Sequence, residues 1–216
     1  GNEILLVDLI RQTGQIDSNS VKKVIEENQV QFDQLISIEA PTIPELDFSA
    51  QIFNRDGSKA ENCINGARCF GKYVFDTGLL DKEELLVGIE KNKWKISHPE
   101  KNAYAVEQEI SDLNTGKDLL PKPNPSGLHT LDLEDDILEV GYVNLGNPHA
   151  INFTKKINDM PLDNWGHYLQ ASAWFPKGVN LTLAEMRSPR EINIRVFERG
   201  VGETLACGSG ACATVV

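Results

Sequence analysis

Displaced along itself by 144 residues, the chain overlays two of its own segments. Phe53 falls on Phe197, Arg55 on Arg199, Cys63 on Cys207, Gly66 on Gly210 and Ala67 on Ala211, five identities in fifteen consecutive positions without a gap. A displacement of 145 sets Gly1-Asn2 on Gly146-Asn147, in the same order along the chain. Duplication of one unit constrains the fold to two similar halves. The shared element reads strand, turn, cysteine, small residues, helix, so each cysteine is expected at a helix N-terminus. Unpaired N–H groups and the helix dipole favour an anion there, which predicts a thiol pKa lowered from about 8.5 towards neutrality. The same N–H groups suit a carboxylate, or the charge it gains when its α-proton leaves. Two such thiols would take and return one proton on opposite faces of a carbon, inverting a stereocentre without cofactor.

Cys69 and Cys212 lie within helix turns and are expected to be small buried hydrophobes. None of the cysteine spacings is that of a zinc knuckle or a C-x-x-C redox site. Four cysteines without export signals fit free thiols in a reducing compartment, here the cytoplasm. Twenty-one basic against thirty-two acidic residues leave a net charge of −11. That balance, with the basic residues scattered, argues against nucleic-acid binding. No apolar run approaches the roughly 20 residues of a membrane span.

Apolar alternation predicts strands over Ile4–Leu9, Phe48–Phe53, Leu85–Ile89, Trp94–Ser97, Ala103–Val106, Val140–Leu145 and Ile192–Phe197. Helical spacing predicts Asn19–Glu27, Asn65–Thr77 with Gly78 as its C-terminal cap, and Leu162–Ala171. Three prolines and Gly127 precede the acidic run Asp132–Asp136, which predicts a surface linker. The expected division is therefore 1–112 carrying Cys63, a linker over 113–136, and 137–216 carrying Cys207. The opening Gly1, and an end at Val216 inside a helix-like apolar run, read as a fragment whose second half is truncated.

The cysteine segments Glu61-Asn62-Cys63-Ile64-Asn65-Gly66-Ala67-Arg68-Cys69-Phe70 and Glu198-Arg199-Gly200-Val201-Gly202-Glu203-Thr204-Leu205-Ala206-Cys207-Gly208-Ser209-Gly210-Ala211-Cys212 resemble those of diaminopimelate epimerase. Asn54 to Ser58, Phe32 to Leu35, Gly146 to His149 and Val179-Asn180 resemble it too, in order along the whole chain. The resemblance implies two pseudo-symmetric α/β halves, each a curled, mostly antiparallel sheet around a central helix, with the active site in the cleft between. It implies interconversion of LL- and meso-2,6-diaminopimelate in lysine and peptidoglycan-precursor synthesis, by a homodimer, without metal or other cofactor. Cys63 is then proton donor and Cys207 acceptor, exchanging roles in reverse, and His149 and Glu198 tune the thiols. The two thiols would also oxidise to an inactivating disulfide. Asn2, Gln34, Asn54, Asn147, Asn180, Glu198 and Arg199 would contact substrate, and the helix starts at Ile64-Asn65 and Gly208-Ser209 would supply N–H groups. Amides that both donate and accept suit a ligand with two ammonium and two carboxylate groups, and a guanidinium grips one carboxylate bidentately.

The chain departs from that family in carrying Ile64 after the first cysteine, where glycine is usual, Gln29-Val30-Gln31 in place of a glycine-rich turn, and Glu3 for Asp. A β-branched residue at 64 restricts the backbone beside the thiol. The alternatives are a weakened or inactive paralogue acting as a binding or regulatory protein, and a related amino-acid racemase.

Overall fold

The computed structural model describes residues 2–28, 30–90, 92–108 and 112–216. Gly1 and Gln29, which figure in the repeat and in the departures above, lie outside the described residues. The chain clusters into two compact units that divide between residues 108 and 112.

The first unit contains β1 (Ile4–Asp8), α1 (Ser18–Asn28), β2 (Gln34–Ile38), β3 (Phe48–Ala50), β4 (Ile52–Asn54), α2 (Ile64–Thr77), β5 (Glu84–Ile89), β6 (Asn92–Glu100) and β7 (Ala103–Gln108). One sheet runs β1-β2-β4 and the other β3-β5-β6-β7. Among the described residues of this unit, β1–β2 and β3–β5 pair in parallel and the other neighbours antiparallel. The run expected as one strand, Phe48–Phe53, is two strands in different sheets. Gln51 breaks it, because its backbone binds Ser37 and its amide donates to Glu39. Helix α2 lies at the centre, with Ala67, Phe70 and Val74 fully buried against residues of both sheets. Burial of a side chain such as Phe70 stabilises the fold by about 1.5–3 kcal/mol. Gly78 ends α2 in the left-handed conformation, where glycine meets no Cβ penalty.

The second unit contains β8 (His129–Asp132), β9 (Ile137–Asn144), β10 (Pro148–Phe153), α3 (Leu162–Ala171), β11 (Asn180–Ser188), β12 (Glu191–Glu198), β13 (Gly202–Thr204) and α4 (Gly208–Val215). Its sheet has six strands in the order β13-β12-β11-β10-β9-β8. Neighbours are antiparallel except β10–β11. These six strands form one continuous hydrogen-bonded sheet. Part of the segment read as a linker also belongs to this unit: His129 and Leu131 are buried in β8, and Leu120 and Leu133 join the core. The prolines and aspartates beside those leucines masked a two-residue alternation. Leu162, Trp165 and Leu169 of α3 pack on this sheet. Among the described residues, no helix is long and apolar enough to cross a membrane.

Candidate active site

Cys63 is the N-cap of α2. Its backbone is extended (φ −154°, ψ 97°), and its sulfur accepts the N–H of Gly66 at 3.2 Å. A side chain in this role satisfies one of the four unpaired N–H groups at the start of a helix. Gly66 is itself demanded by packing: a Cβ there would overlap Ile36 Cδ1 and lie 3.1 Å from the Cys63 sulfur. Around this thiol, Asn65 donates to the Asn2 side chain at 2.9 Å. Gln34 donates to Asn54 at 3.1 Å, across the β2–β4 pair in which the two are direct partners. Asn54 in turn donates to Ser58 at 3.0 Å. The structure thus brings Asn2 to Asn65, and Gln34 to Asn54. Ile64 opens α2 and leaves the thiol in its capping role.

Cys207 repeats this geometry in the second unit. It caps α4 (φ −126°, ψ 109°), and its sulfur accepts the N–H of Gly210 at 3.3 Å. The Ser209 hydroxyl lies 3.4 Å from the same sulfur. Burial, followed by the Glu198 carboxylate, pushes the Cys207 thiol up to about 11, against the downward pull of Ser209 and Gly210. This corrects the expectation of a thiol lowered towards neutrality. Cys207 is only 7% exposed, and loss of solvation outweighs two hydrogen-bond donors.

His149 of β10 is fully buried, with Nε2 3.2 Å from Asn147 Oδ1. The accepting amide oxygen places the ring proton on Nε2, so Nδ1 carries the lone pair; among the described residues no group reaches it. Burial and the positive charge of Arg199 lower the imidazole to about 4. His149 is therefore neutral at pH 7. A chain of contacts leads onward, from Asn147 Nδ2 to Ser209 Oγ at 3.5 Å and from that oxygen to the Cys207 sulfur. Asn180 donates to the Pro148 carbonyl at 3.2 Å and accepts the Arg199 N–H at 2.9 Å. The Arg199 guanidinium donates to the Lys177 carbonyl at 3.2 Å. Glu198 accepts from the Thr204 hydroxyl.

Sequence reasoning missed two groups here. Ser209 was expected to act through its N–H, yet its hydroxyl reaches the sulfur, a contact signalled only by its place two residues after the cysteine. Thr204 lies inside the second cysteine segment, but that resemblance gave it no role. Cys69 and Cys212 are exposed rather than buried, because they fall off the apolar stripes of α2 and α4. Among the described residues no cluster of His, Cys, Asp and Glu has the arrangement of a metal site.

The fold recurs in solved structures of low sequence identity. A PhzF-family phenazine biosynthesis protein of Bacillus anthracis aligns with a TM-score of 0.60 at 14% identity, over 100% of this chain and 73% of that one. A probable proline racemase of Agrobacterium radiobacter K84 aligns at 0.62 and 12%, over 92% and 64%. This is the two-unit α/β fold of that group, and here each unit carries a cysteine-capped helix. The sequence profile of diaminopimelate epimerase matches residues 1–112 and 141–216. A diaminopimelate epimerase of Teredinibacter turnerae is 35% identical over 217 residues, covering 100% of this chain and 79% of that protein. One of Acinetobacter baumannii (strain AYE) is 36% identical over 221 residues, covering 100% and 78%. The chain belongs to the diaminopimelate epimerase family, whose members are isomerases.

Proposed function

We propose that this chain interconverts LL- and meso-2,6-diaminopimelate by proton transfer between the α-carbon and the paired thiols Cys63 and Cys207, in lysine and peptidoglycan-precursor synthesis. One observation carries the reading: each of the two units holds a cysteine as helix N-cap, accepting from the glycine three residues on at 3.2 and 3.3 Å. A thiol used only for packing has no need of that repetition.

In each turnover the thiolate of one cysteine removes the α-hydrogen as a proton; an S–H bond forms as the C–H bond breaks. The electron pair passes into the adjoining carboxylate, whose growing charge is met by N–H groups at Ile64-Asn65 and Gly208-Ser209. The other thiol then delivers its proton to the opposite face and is left as thiolate. No oxidant or reductant is consumed. A Cys207 thiol near 11 rests protonated in the ligand-free protein, the state from which it donates. The opposite direction, with Cys63 as donor, starts from the other protonation state. His149, neutral at pH 7, orients Asn147 and through it Ser209; burial, reinforced by Glu198, keeps the proton on Cys207. Asn2, Gln34, Asn54, Asn147, Asn180 and Arg199 are assigned to the ammonium and carboxylate groups of the substrate.

The test is solvent exchange. Purified protein with added thiol reductant and no cofactor, incubated with LL-diaminopimelate in deuterium oxide, is expected to place deuterium at the α-carbon while forming the meso isomer. Unchanged substrate after prolonged incubation would overturn the reading.

A further inference from the structure

Cys63 is held from behind as well as from in front. Asn62, the residue immediately before it, accepts the indole N–H of Trp94 at 3.1 Å and donates to the side chain of Gln108 at 2.7 Å. Trp94 lies on β6, is fully buried, and packs edge-on against Phe70 of α2 with ring centroids 6.4 Å apart. Gln108 is the direct partner of Trp94 across the β6–β7 pair. One indole therefore touches the body of α2 through Phe70 and fixes the residue before its N-cap through Asn62. With the Gly66 N–H bound to the sulfur, the thiol is pinned on both sides. At the second site the residue aligned with Asn62 by the repeat is Ala206, which has no side-chain amide.

We infer that Asn62, held by Trp94 and Gln108, is a positioning residue for Cys63, setting where its sulfur stands rather than binding substrate. The inference rests on the two-thiol reading above. A half-buried amide with both ends engaged has one geometry, so it transmits the placement of β6 and β7 to the thiol. Displacement of a reacting group by about 1 Å lowers a rate by up to about 100-fold.

Asn62→Leu removes both bonds at nearly constant volume. Its kcat for epimerisation is expected to fall roughly 10- to 100-fold with KM within about twofold of wild type, the signature of lost orientation rather than lost binding. The alkylation rate of Cys63 by iodoacetamide, read by mass spectrometry, is expected to fall at least threefold, with that of Cys207 unchanged. The Trp94 indole N–H resonance should move upfield. Unchanged kcat together with unchanged Cys63 alkylation overturns the proposal, as does a rise in KM alone. Altered Cys63 alkylation with unchanged kcat supports the positioning and instead sinks the two-thiol reading. Gln108→Leu, which leaves the Trp94 bond in place, carries the same test should Asn62→Leu fail to fold; the same readouts move the same way by a smaller factor.

Discussion

Gly66→Ala tests the packing that seats the first thiol. A methyl group at this position would overlap Ile36 Cδ1, the tip of a fully buried side chain, and stand 3.1 Å from the Cys63 sulfur. Overpacking of this kind costs about 1–3 kcal/mol. Alanine returns up to about 1 kcal/mol of helix propensity relative to glycine. The expected net loss is about 1–2 kcal/mol, read as a lowered urea midpoint with unchanged slope. Activity should suffer more. At 3.1 Å the sulfur must give by a few tenths of an ångström, which strains the hydrogen bond it accepts from residue 66. A fall of roughly tenfold or more in α-hydrogen exchange is expected, with most of the protein still folded. Gly210→Ala is the control from the other unit, since its methyl would meet Val196, Cys207 and Thr182 at 3.2–3.3 Å without overlap. Its stability loss should be smaller. A Gly66→Ala protein as stable and as active as wild type would refute the reasoning.

Other perturbations follow from the charges. Glu198→Gln removes the carboxylate beside Cys207, so the thiol should ionise at a lower pH than about 11, yet above 9.0 because burial is the larger cause; alkylation of Cys207 against pH reads this. His149 binds a proton below about 6.5 when unfolded and only below about 4 when folded. Between those values the unfolded chain holds more protons, so stability should fall by about 3 kcal/mol as pH drops through the window, and His149→Gln should flatten that slope. Cys69→Ala and Cys212→Ala change exposed positions and should shift stability by no more than about 0.5 kcal/mol with turnover unchanged.

The two cysteine-capped helix starts were legible in the sequence because the repeat is local: cysteine, glycine and alanine at fixed spacing specify a capped helix start wherever the flanking sheet lies. Helix α3 was legible for a similar reason, since Leu162, Trp165 and Leu169 mark one face. Strands β2, β10 and β11 were not. Buried on both faces, Leu35–Ile38 and Leu181–Ala184 show no alternation to detect. The break at Gln51 also escaped, because it depends on Ser37 and Glu39, far away in sequence. The acidity of Cys207 was misread for a physical reason. The sequence displays the helix N-terminus that lowers a thiol, but not the burial and the Glu198 carboxylate that together outweigh it.

The central claim is that both thiols act on one α-carbon. Its most direct measurement is turnover of LL-diaminopimelate by Cys63→Ala and Cys207→Ala, each shown to be folded, beside Cys69→Ala. Loss of meso-isomer formation in both of the first two, with Cys69→Ala active, is the expected result. Wild-type turnover in either Cys63→Ala or Cys207→Ala would contradict it.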